Sequence, residues 1–177
     1  MSTISTFKSR MAGGGARPNQ FRVFLNFPAA AGNLGAAAGE AAQFLCYSAT
    51  LPGSIITDIP VMYRGRPVHF AGEREFQPWA VDIYNDNDFL VRNALETWSN
   101  SIVNYDATNG ILAPSDYQAG QMTVEQLDRN DNPVKQYIFY DVYPTDVGQI
   151  QLSFEQNNDI EKFSTTFVYN YFTASDI

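Results

Sequence analysis

Cys46 and His69 are each the only residue of their type in this chain, and they are its nearest approach to a nucleophile and a base. A thiolate beside an imidazole can attack carbonyl or phosphoryl centres, but a third group must orient the imidazole. No sequence feature supplies that group. His69 sits in the alternating segment 68–70, where a strand or turn contact explains it better than general-base work. A sole cysteine forms no intrachain disulfide and reads as a small buried apolar residue. Asp82, Asp86 and Asp88 put three carboxylates in a short span, the raw material of a cation site. They lack the glycine and closing glutamate of an EF-hand loop, and a strand exit followed by a helix start accounts for them. Asn157, Asn158 and Asp159 read as turn chemistry. The glycine run 13–15 is not followed by Gly-Lys-Ser/Thr, so it is no phosphate loop. The chain has no GxSxG elbow. The expectation is a non-enzyme with no catalytic residues, no cofactor and no metal.

Composition narrows the function further. At 177 residues and 19.8 kDa, one domain with a substantial core is the simplest arrangement. Hydrophobic residues make up 45% and aromatics 14%, which opposes general disorder. With 19 acidic and 11 basic residues, the formal charge is −8. That balance opposes adhesive binding of nucleic acid, which uses basic patches, but permits a surface past which DNA slides. No stretch reads as a bilayer span, and the amino terminus lacks a hydrophobic signal core, so neither membrane insertion nor autonomous export is expected.

The elements that must position these residues are mostly strands. Phe21, Val23, Leu25 and Phe27 alternate in a first strand, 20–27. Residues 28–40 are rich in Ala and Gly without a helical apolar stripe, so a flexible hairpin loop is expected there in preference to a brief helix. Its return strand is 42–50. Short extended segments follow at 56–63 and 67–71, with turns near Pro60 and at Arg64–Gly65. Trp79, Val81 and Ile83 share a parity in the strand 76–84. The clear helix is 88–103, where Leu90, Val91, Ala94, Leu95, Trp98 and Ile102 recur at spacings of three and four. Asn87 is its expected cap and Asp88 suits its positive dipole end. A turn-rich excursion, a strand at 122–127 and a polar turn at 128–132 lead to a strand 137–143, which Pro144 should end. Gly148 should bend the chain with a positive φ. The segment 150–154 should pack against the fold, and 163–171 is the last long strand. Strands interrupted by one helix do not make βαβ units. The predicted fold is mainly β: two packed antiparallel sheets forming a partly closed barrel or sandwich, with one flanking helix. The predicted organisation is a flexible arm, 1–16, and a single domain, 17–177, with enlarged loops near 28–41 and 104–118.

Trp79 and Trp98 read as core anchors, with an exposed interface tryptophan as the alternative for Trp98. Tyr137, Tyr140 and Tyr143 suit either internal packing or a subunit boundary. Arg17, Arg64, Arg66 and Arg74 are too dispersed for a DNA-binding patch; each is either solvated or paired across a subunit seam.

Several blocks then occur in a specific order. They are Ala16, Arg17, Pro18, Asn19 and Phe21; Ala49 to Gly53; Ile59, Pro60 and Val61; and Gly72 to Phe76 with Trp79, Asn85 and Asp86. Tyr143, Pro144 and Thr145, then Gly148 to Leu152, Asn158 to Ile160 and 163–171 complete the series. The chain resembles the major tail tube proteins of contractile-tailed, T4-like bacteriophages from about Arg17 to Tyr171. The resemblance implies six-fold rings of this chain stacked head to tail, enclosed by a tail sheath protein and bounded by baseplate and tail terminator proteins. It implies a tape-measure protein and viral DNA in the lumen without tight binding. It places the protein in the virion tail, assembled in the host cytoplasm. Arg17, Pro18, Asn19, Arg74, Trp79, Trp98, Pro144 and Gly148 become candidate structural or assembly residues. The alternative is the tube protein of a type VI secretion system or another phage-derived injection machine. A small hydrolase using Cys46 or His69 is a third, chemically different reading.

Overall fold

A computed structural model describes residues 3–11, 14–106, 113–155 and 157–176. A helix α1, Ile4–Arg10, forms within the expected arm, and all its residues are exposed. The body begins with β1, Phe21–Phe24. Where a flexible hairpin loop was expected, the chain makes a 3-10 helix, Ala29–Leu34, and then helix α2, Gly35–Leu45. The reason is tertiary. Ala31, Ala38 and Ala42 are fully buried, and a Cβ on Gly39 would lie 2.7 Å from the Leu25 carbonyl oxygen. Ala and Gly here allow a helix to lie against backbone, a packing benefit that offsets the poor helix propensity of the interspersed glycines.

That helix also removes the expected return strand. Only β2, Cys46–Ala49, remains extended, and it does not pair with β1. The strand order of the seven-stranded antiparallel sheet is β1–β6–β7–β8–β5–β2, with β9 also paired to β7. Here β5 is Trp79–Tyr84, β6 Ala119–Leu127, β7 Pro133–Val147, β8 Lys162–Val168 and β9 Tyr171–Asp176. β1 and β2 stand at opposite ends of that order, so the strands do not close into a barrel. A separate two-stranded sheet consists of β3, Ser54–Tyr63, and β4, Arg66–Phe76. Arg64 and Gly65 form its turn, both with positive φ. The turn expected near Pro60 is absent; Pro60 lies within β3 opposite His69.

β7 links the two groups of strands. Its first part pairs with β6 and β9, and its end pairs with β8. The predicted stop before Pro144 does not occur. A register shift between Pro144 and Asp146 opens the ladder where proline cannot donate, so the strand continues to Val147. Trp79 and Phe139 stack at 4.4 Å between centroids, joining β5 to β7.

Helix α3, Leu90–Ile102, buries Val91, Ala94, Leu95 and Trp98, as its apolar stripe predicts. The cap differs from expectation. Phe89 takes a left-handed conformation, φ 53°, and the Asp86 Oδ1 accepts the Leu90 N–H at 3.0 Å. The tight turn at Phe89 brings Asp86, not Asn87, over the free amide. A second substantial helix, α2, packs beside α3, so the single flanking helix of the prediction becomes a pair. In the 104–118 excursion, residues 107–112 lie outside the described residues, and a short helix α4, Pro114–Tyr117, ends it.

Candidate assembly surfaces

The residues with chemical potential do not converge. Cys46 lies on β2 and its thiol donates to the Ser48 carbonyl at 3.4 Å. His69 lies on β4, with Nδ1 2.6 Å from Asp58 Oδ2 on an exposed surface. Each has a separate partner, so they form no nucleophile–base pair. Burial, with the nearby Asp82 carboxylate adding to it, pushes the Cys46 thiol from 9.0 up to about 12. The thiol is therefore protonated at neutral pH and a poor nucleophile. We expect iodoacetamide at pH 8 to modify native Cys46 far more slowly than the urea-unfolded chain, followed by mass spectrometry; equal rates would contradict the burial. The raised value also fixes a sign. Its contribution to stability is complete below 9.0 and disappears as pH rises toward 12.

Asp86 serves as the α3 cap and Asp82 lies in β5 opposite Ser48. Among the described residues no group of three or more His, Cys, Asp or Glu side chains is placed to hold a metal ion. A hollow of about 400 Å³ lies between segments 149–153 and 159–162, and its Lys162 faces Asp159 at 3.9 Å.

The predicted assembly residues separate into three places. Trp79 and Trp98 are internal anchors that share Phe167, at centroid distances of 5.5 and 6.3 Å. Their indole N–H groups donate to the Thr50 carbonyl at 2.9 Å and the Tyr117 carbonyl at 2.6 Å. Pro144 and Gly148 lie where β7 meets β8. Gly148 is not needed for a positive φ, contrary to expectation. Its missing Cβ would instead lie 2.5 Å from the Ser164 carbonyl oxygen. Arg17, Pro18 and Asn19 form an exposed lead-in to β1, and the Arg17 carbonyl accepts from Gln126 Nε2 at 2.8 Å. Arg74 is exposed on β4 opposite Ile56. The three tyrosines also diverge: Tyr137 approaches Phe172, Tyr140 stacks on Tyr171, and Tyr143 meets Tyr117 edge-on.

Sequence reasoning did not find an exposed apolar surface on the β3–β4 hairpin. β3 and β4 form a hairpin on which Ile59 and Phe70, then Val61 and Val68, face each other across the strands while remaining exposed. Alternation within each strand was visible, but its lack of internal cover was not. Segment 150–154 likewise fails to pack as expected. Only Ile150 touches the core, whereas Leu152 and Phe154 are 76% and 106% exposed.

Two strand edges complete the geometry. β1 pairs only with β6, and β9 pairs only with β7. The four strands β1–β6–β7–β9 therefore form a sheet with an unpaired edge on each side. Such edges template further strand pairing. A surface combining open edges with uncovered apolar groups is suited to association rather than to turnover of a small substrate.

A family model described as phage tail tube protein matches residues 16–175. The chain is 30% identical over 159 residues to the tail tube protein gp19 of Enterobacteria phage T4, covering 88% of this chain and 90% of that protein. It is 25% identical over 174 residues to the tail tube protein of Serratia phage KSP90, covering 96% and 95%. Its fold is similar to a chain in the sheath–tube complex of the PVC extracellular contractile injection system in its extended state. That comparison has a TM-score of 0.60 at 12% identity and covers 100% of both chains. A chain of the anti-feeding prophage tube terminating cap gives a TM-score of 0.66 at 13% identity, with 92% of each chain covered.

Proposed function

Since this chain belongs to the phage tail tube protein family and is a structural protomer of a contractile phage tail, we propose that six copies close into rings that stack into the conduit for DNA ejection. The family match across residues 16–175 carries this reading. The open edges of β1 and β9 support it physically, because pairing them between neighbours satisfies exposed backbone groups. A closed ring leaves no lateral edge, whereas head-to-tail stacking can repeat without limit. Within each protomer the sheets are taken to curl into a partly closed barrel or sandwich.

The apolar hairpin and the exposed lead-in at Arg17, Pro18 and Asn19 are suited to contacts between protomers. Arg74 can pair with a carboxylate across the same seam. The remaining partners in this proposal are a sheath protein, baseplate and terminator proteins, and a tape-measure protein inside the tube. Assembly takes place in the host cytoplasm. The 30% identity to a phage tail tube protein favours this reading over a type VI secretion tube.

Negative-stain microscopy of concentrated protein should show six-fold rings or stacked tubes. Initiation by a baseplate complex restores assembly if isolated protein remains monomeric. A virion map placing this chain outside the tail conduit would overturn the assignment.

A further inference from the structure

We propose that helix α1 of one copy docks on the 149–161 loop of the copy stacked next to it, an apolar contact held between opposite charges. This rests on the tube reading and adds which two segments meet between successive rings. The family match begins at residue 16, so it covers none of α1. On a helical turn of 3.6 residues, Ile4, Phe7 and Met11 fall within about 60° of arc. Their side chains are exposed, at 77%, 64% and 44%. Lys8 and Arg10 lie on either side of that stripe, and Ser5, Thr6 and Ser9 take the far face. A helix of seven residues is too short to persist alone, so its order depends on what covers the stripe.

The loop offers the complementary surface. Leu152, Phe154 and Ile160 are exposed, and Leu152 and Ile160 line the hollow of about 400 Å³. The charges agree. Residues 1–17 contain Lys8, Arg10 and Arg17 and no acid, a sum of +3 in a chain of net −8. Residues 149–161 contain Glu155, Asp159 and Glu161 and no base, a sum of −3. Asp159 faces Lys162, and Glu161 accepts from Asn85 Nδ2 at 3.0 Å. Glu155 follows Phe154 on the exposed part of the loop. It is the carboxylate best placed to meet Lys8 beside an apolar contact.

Topology makes the contact intermolecular. The arm joins the body beside the start of β7, where Gln126 Nε2 donates to the Arg17 carbonyl and Gln126 stands opposite Lys135. The loop leaves the other end of β7, after Val147. The 15 residues of β7 cover roughly 50 Å of path. The arm reaches about 25 Å from Arg17 to the middle of α1, a short extended connector plus half a helix. Gly14 and Gly15, both with positive φ, make the turn between α1 and the body. Helix and loop therefore sit at opposite ends of the protomer, and the loop that α1 meets belongs to another copy. Such a contact is heterologous and repeats head to tail, as stacking requires. Six copies make it six times between two rings, so a contact that is weak singly holds them together.

Phe7→Cys and Leu152→Cys are combined in a Cys46→Ala background, and assembled tubes are oxidised and run on a denaturing gel without reductant. Cross-linked ladders should extend beyond six copies. Phe7→Cys paired with Phe44→Cys, exposed at the end of α2, should remain monomeric. An internally bridged monomer, or a ladder that stops at six copies, would overturn the proposal. A ladder from the Phe44 pair without one from the Leu152 pair would do the same. If the double-cysteine chain does not assemble, exchanging charges gives a second reading. Lys8→Glu should raise the protein concentration needed for tubes by about two- to fivefold, the effect of one exposed ion pair. Glu155→Lys in the same chain should restore it. An unchanged requirement in Lys8→Glu, or a loss that Glu155→Lys does not repair, defeats the pairing. Microscopy of the unmodified protein comes first. Absence of six-fold rings there is failure of the tube reading, whereas tubes without the ladder are failure of this contact.

Discussion

Trp98→Ala lowers the stability of the isolated protomer by about 3–5 kcal/mol, the usual cost of truncating a buried tryptophan. For a domain of this size that corresponds to a fall in Tm of roughly 6–20 °C. Trp98 is 0% exposed and meets Phe27 edge-on at 5.8 Å. Its ring ties α3 to both the sheet and the segment after β1. Alanine also leaves the Tyr117 carbonyl without its donor, now 2.6 Å away. Trp98→Phe separates the two effects. It retains an aromatic ring but loses the hydrogen bond, with a smaller cost of about 1–3 kcal/mol. Denaturant unfolding of the protomer checks the ordering. An alanine variant with unchanged monomer stability but poor polymer yield would make Trp98 an interface residue instead.

Gly148→Val should cost at least the upper end of the roughly 1–3 kcal/mol typical of overpacking. Its first added carbon meets backbone, 2.5 Å from the Ser164 oxygen, so no side chain can rotate to relieve the clash. Moving β7 from β8 would break the Gly148 N–H to Ser164 carbonyl bond of 2.8 Å. It would also disturb Arg92, whose Nη1 donates to the Gly148 carbonyl at 2.9 Å while its Nε donates to Glu96 Oε1 at 2.8 Å. Gly148→Ala should show most of the loss because the Cβ alone collides. Gly148→Asn distinguishes the cause, since asparagine tolerates left-handed backbone but still carries a Cβ. A stable asparagine variant beside an unstable alanine variant would contradict the close-approach explanation. Thermal unfolding and tube yield provide the measurements.

These substitutions act inside the protomer, whereas the β3–β4 hairpin presents its apolar residues on the protomer's surface. Phe70 is exposed in the folded protomer, and the proposed tube would cover it with another copy. The same side chain in a lone domain would be an aggregation hazard.

The sequence by itself determined the β-rich character, the α3 stripe and the ordered blocks that identify the family. Alternation in 79–83 and 163–169 and the three-and-four spacing in 90–102 translate directly into buried faces, because backbone geometry imposes those periods. Tertiary structure decided the meaning of residues whose local signals were ambiguous. Ala31, Ala38 and Ala42 became helical contacts because the core had room for close approach. Pro144 continued a strand because a bulge removed the demand for its N–H. Gly148 was required by a neighbouring carbonyl rather than by its own φ, and Leu152 and Phe154 turned outward despite their apolar character. Arg22 came opposite Glu125 only through cross-strand register between β1 and β6. Sequence periodicity reports which side of one element is apolar; three-dimensional pairing decides which residues of separate strands share a surface and whether their charges cancel.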